Sequence, residues 1–96
     1  MKSDYQQQVI NKIKVLREKQ GITQLAFSKL LEISPGQMGN IDSIRQPHKY
    51  TIKQLLIICD VLGVGIEEVL FLSNTKSKTY SVRDVVTAII KYQEGM

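Results

Sequence analysis

Few residues of this 96-residue chain have the type and spacing needed for bond-making chemistry. The only histidine, His48, has no cysteine or carboxylate at metal-ligand spacing, and no glycine-rich phosphate loop or nucleophile motif appears. The single cysteine, Cys59, sits in the apolar run Leu55-Leu56-Ile57-Ile58-Cys59, where it reads as a small core hydrophobe and forms no internal disulfide. No catalytic residue, metal site or cofactor is expected, so an enzyme is not. What remains is hydrogen bonding and charge. Gln37 and Asn40 stand at i, i+3, and each side-chain amide offers both donors and an acceptor. Arg45, His48 and Lys49 make the stretch between Ser43 and Tyr50 basic.

Helices must position these groups. Over 5–20 the apolar positions Val9, Ile13 and Leu16 recur at i, i+4 and i+7, with lysines and an arginine on other faces, which predicts an amphipathic helix closed by Gly21. A second helix is expected over 23–31, capped by Thr23 and burying Phe27 and Leu31. Ser34-Pro35-Gly36-Gln37 reads as a capping box with proline at the first helical position, opening a third helix. That helix gives Met38 and Ile41 to the core and turns Gln37 and Asn40 the opposite way. Gly36 and Gly39 each weaken it by roughly 1 kcal/mol relative to alanine, so it needs tertiary support.

Thr51-Ile52-Lys53-Gln54 forms another capping box, predicting a fourth helix that ends at Gly63, and Ile66-Glu67-Glu68-Val69-Leu70 a short fifth. The polar stretch over 73–80 reads as a linker. Beyond it Ser81 caps a last helix over 81–94, striped by Val82, Val85, Val86, Ile89 and Ile90. The fold class is all-α. The stripe serves either as intramolecular core or as an interface with a second subunit.

The chain carries a net charge of +4, and residues 1–31 hold six Lys/Arg against two acids. Such an excess suits a polyanionic partner without requiring one. No apolar stretch approaches the roughly 18 residues that span a bilayer, and the first residues lack the apolar segment of a signal peptide. A soluble cytoplasmic protein with no membrane contact is expected.

Gly21-Ile22-Thr23-Gln24, Phe27-Ser28, Leu31, Ile33-Ser34-Pro35, Met38, Ile41-Asp42 and Leu62-Gly63-Val64 together resemble the signature of the Cro and repressor helix-turn-helix family, the lambda-repressor-like or xenobiotic-response-element family. The likeness covers about residues 9–72. It implies a lambda-repressor-like five-helix DNA-binding domain over 5–72, to which the last helix is an addition. In that scheme the third helix enters the major groove of double-stranded DNA while the second crosses the phosphate backbone.

Carried over by position, Thr23 and Gln24 would meet a phosphate, although an ordinary helix cap is the plain alternative. Gln37 and Asn40 would read bases, since an amide can pair bidentately with adenine; for Gln37 the competing role is the return bond of the capping box. Gly36 would permit close backbone approach, and Ser43, Arg45 and Lys49 would lie along the backbone past the helix. Arg17 and Asp42 would form a structural ion pair between the first and third helices. The resemblance also implies a homodimer on paired half-sites, and a transcriptional regulator, most simply a repressor.

Two departures from the family pattern shape the remaining expectations. The family's turn glycine is Glu32 here, so either a non-glycine residue adopts the left-handed conformation or the turn differs. Leu25, Leu30 and Ile57 are apolar at sites that the family keeps polar, which predicts a cover over them, the last helix being the candidate. The competing reading is a protein-interaction module that uses this scaffold to bind a toxin or another regulator.

Overall fold

A computed structural model describes residues 1–72 and 79–95, and among these the chain is all-helical. The helices are α1 (Asp4–Lys19), α2 (Gln24–Leu30), α3 (Pro35–Asp42), α4 (Ile52–Leu62), α5 (Ile66–Leu70) and α6 (Val82–Glu94). Each start except that of α5 is marked by a hydroxyl. Ser3, Thr23, Ser34, Thr51 and Ser81 lie in extended conformation and accept the backbone N–H three residues on. Full reciprocal boxes form at Ser3/Gln6, Thr51/Gln54 and Ser81/Asp84. The linker expected over 73–80 lies outside the described residues except for Thr79 and Tyr80, which are non-helical.

α1 is the central strut, packed on α3, α4 and α5, while α2 lies on α3 and α6 on α5. Its Val9, Ile10 and Ile13 are buried with Phe27, Leu31, Met38, Ile41, Tyr50, Leu55, Ile58, Leu62, Val69 and Leu70 in one core. Cys59 belongs to this core too, as its neighbours in sequence suggested.

α6 folds back within the chain, but not on the expected face. The buried side chains are Ala88 and Tyr92, with Val85 and Ile89 half-buried between them, whereas Val82, Val86 and Ile90 are exposed. The positions 85, 88, 89 and 92 follow the same i, i+3, i+4, i+7 rule as the aliphatic stripe. Polar satisfaction explains the choice between them. Turned this way, the Tyr92 hydroxyl donates to the Tyr50 carbonyl at 2.9 Å, and buried Gln6 donates to the Tyr92 carbonyl at 2.6 Å. Tyr92 then buries its ring completely without stranding its oxygen. Leu25 and Leu30 stay 52% and 51% exposed, so α6 does not cover them.

Candidate nucleic-acid interface

The turn that aims α3 is a left-handed helix cap with glutamate in the glycine position. Glu32 has φ of 58°, its N–H bonds the Lys29 carbonyl at 3.2 Å, and the Ile33 N–H reaches back to the Ser28 carbonyl at 3.0 Å. The same pair of bonds closes α1, where Gly21 has φ of 71°. The glycine-free turn is therefore built like a glycine turn, with a side chain tolerated at some conformational cost.

From that turn α3 emerges with its inner face, Met38 and Ile41, fully buried and its outer face open. Tyr50 backs the inner face, its hydroxyl donating to the Met38 sulfur at 3.4 Å. Burial, reinforced by the Asp42 charge, pushes the Tyr50 phenol well above its ordinary range, so it stays a neutral donor. On the outside, Gly36, Gln37 and Asn40 are exposed together, and no side chain from Ser34 to Ile41 is ionisable. The capping box at Ser34 is half-made. Ser34 accepts the Gln37 N–H at 3.0 Å, but the Gln37 side chain does not return to the Ser34 backbone, leaving its amide on the surface.

Among the described residues the outer glycines have no steric reason. A β-carbon added to Gly36 or Gly39 would meet nothing within 4 Å, and neither has a positive φ.

The remaining candidates divide. Thr23 caps α2 by accepting the Ala26 N–H at 3.1 Å, and Gln24 donates to the Asp42 carboxylate at 2.9 Å, tying the start of α2 to the end of α3. The expected Arg17–Asp42 ion pair is not formed. Arg17 is buried and donates to the Ile22 carbonyl at 2.7 Å, closing over the end of α1, while Asp42 spends its carboxylate on Gln24.

Ser43 ends α3 and its hydroxyl accepts the Arg45 N–H at 3.2 Å, with the Arg45 side chain exposed beyond. Lys49 is drawn the other way, donating to the Gln93 carbonyl near the end of α6 at 2.9 Å. One cation escaped the sequence reading. Lys2 donates to the carbonyls of Ile41 and Ser43 at 2.5 and 2.8 Å, capping the negative end of the α3 dipole. Desolvation lowers its pKa against the pull of Asp42. No local signal announces a contact across 39 residues.

Among the described residues no group of three or more His, Cys, Asp or Glu is placed to hold a metal, and no helix is long and apolar enough to cross a membrane. Compared with known proteins, the chain matches no family model, no curated protein and no solved structure.

Proposed function

We propose that the chain is a lambda-repressor-like regulator that binds double-stranded DNA as a homodimer, reading the major groove with the outer face of α3. The observation that carries this reading is the composition of that face. It presents two surface amides, Gln37 and Asn40, beside two glycines that serve no packing purpose among the described residues. Glycine weakens a helix, and its use is explained where an outside surface must approach the backbone closely. An uncharged face is also free of the carboxylates that would repel a polyanion. Thr23 and Gln24 at the start of α2, with Arg45 past the end of α3, would supply backbone contacts.

Selection of bound duplexes from a random pool tests this directly. The expected product is a symmetric motif with half-sites about 10 base pairs apart, bound with affinity that falls steeply between roughly 50 and 200 mM salt. A pool that shows no enrichment overturns the reading.

One observation favours a second reading, a module that binds a partner protein. Leu25 and Leu30 stand half-exposed on α2 and nothing among the described residues covers them. A partner seated there would bind with weak salt dependence and would be lost on Leu25→Ser or Leu30→Ser, neither of which weakens DNA binding in the first reading.

A further inference from the structure

A cavity of about 690 Å³ opens between α1, α5 and α6, remote in sequence from the α3 surface. Its walls are largely apolar. Phe71 and Tyr80 stack face to face, ring centres 3.9 Å apart and planes within 2°, and Leu70, Ala88 and the Tyr5 ring continue the lining. The size and character are those of small-molecule pockets, about 300–1,000 Å³, apolar with a few directing polar groups.

The polar groups at this cavity are mostly spent. The Tyr5 hydroxyl donates to the Leu70 carbonyl at 2.5 Å, and the Thr87 hydroxyl to the Arg83 carbonyl at 2.8 Å. The Asp84 carboxylate accepts the Ser81 N–H in the capping box, and the Lys91 ammonium sits 4.3 Å above the Tyr5 ring. Two exposed side chains of the lining are not so engaged: the Gln8 amide, which is neutral, and the Arg83 guanidinium, which has no carboxylate partner among the described residues. Arg83 and Lys91 lie eight residues apart on one helix, about 12 Å along its axis, so two cations against the single carboxylate of Asp84 give the cavity a net positive lining.

We propose that this cavity binds a hydrophobic carboxylate, a small molecule with an aromatic or aliphatic body and one carboxyl group. The body lies along Phe71, Tyr80 and Leu70, and Arg83 takes the carboxylate in its two-pronged fork. Lys91, already over an aromatic face, adds positive field rather than a contact. The site is independent of the DNA-binding reading and stands or falls without it.

The test uses the full chain and a matched pair of probes, naphthalene carboxylate and the neutral naphthalene methanol, titrated calorimetrically and followed by amide chemical shifts. The carboxylate is expected to bind about tenfold more tightly than the alcohol, the worth of one charge-assisted bidentate contact to an exposed guanidinium. Its shifts should centre on Leu70, Phe71 and Ala88. Arg83→Gln removes the preference and leaves alcohol binding unchanged, and Arg83→Lys restores part of it. Because Arg83 is exposed, neither variant threatens the fold, which thermal unfolding verifies. Equal affinity for the two probes, a preference that survives Arg83→Gln, or shifts centred on 34–49 overturns the proposal. So does a self-associating chain that excludes both probes, since a second copy would then be the occupant.

Discussion

At the scale of single residues, Gly36 and Gly39 separate the needs of the fold from those of a partner. Alanine at either site meets open space, so Gly36→Ala and Gly39→Ala should each stabilise the chain by about 0.5–1 kcal/mol through the lower cost of ordering a helical alanine. If DNA approaches the backbone there, the same substitutions weaken duplex binding, by about tenfold for the worse of the two, an energetic loss near 1.4 kcal/mol. Chemical denaturation and a binding titration on the selected duplex give the two numbers; stabilisation with unchanged affinity would remove the glycines from the interface. Arg17 and Asp42 pose a different question. Their partners are Ile22 and Gln24, so a double-mutant cycle on Arg17→Met and Asp42→Asn should show a coupling below about 1 kcal/mol. A coupling of several kcal/mol in urea denaturation would restore the direct ion pair.

At the scale of elements, α6 is held by hydrogen bonds that its hydrophobic pattern did not reveal. Removing one hydroxyl tests this: Tyr92→Phe keeps the ring and leaves the buried Tyr50 carbonyl without its donor, a loss of about 1–3 kcal/mol. Val82→Ser, on the exposed side, should move stability by less than about 0.5 kcal/mol. A larger effect of Val82→Ser than of Tyr92→Phe on the urea midpoint would place the aliphatic stripe against the core after all. The contrast shows what was legible in the sequence. Hydroxyl caps at Thr23, Ser34, Thr51 and Ser81 act on the backbone three residues away, so they announce the helices locally. The exposure of Gln37 and Asn40 followed equally simply from their opposition to Met38 and Ile41. What pairs with Tyr92, Lys49, Lys2 or Asp42 depends on chain brought from far away in sequence. Two faces of α6 satisfied the same periodicity, and only the tertiary carbonyls chose between them.

At the scale of the whole molecule, the core contains several weak acids whose neutral forms the fold prefers, and this sets its behaviour in alkali. Burial raises Tyr5, Tyr50 and Tyr92 above the ordinary phenol value of 10.0, and raises the Cys59 thiol from 9.0 to about 11, with Asp60, Glu67 and Glu68 adding to it. Above the unfolded values the folded chain therefore holds protons that the unfolded chain releases, and stability falls as pH rises. Their contribution is intact below pH 9, is lost for Cys59 between 9 and about 11, and is lost for the tyrosines from 10 upward. Lys2 acts in the opposite sense, because its pKa is lowered in the fold, so its contribution grows with pH. With three buried or half-buried phenols and a thiol against one half-exposed amine, the acids decide the sign. Urea midpoints measured from pH 8 to 11 should decline once pH 9 is passed, and Cys59→Ala should flatten the first part of that decline. A midpoint that stays level to pH 11 would mean that these side chains remain in contact with water, and that the core around Tyr50 which seats α3 is looser than its geometry indicates.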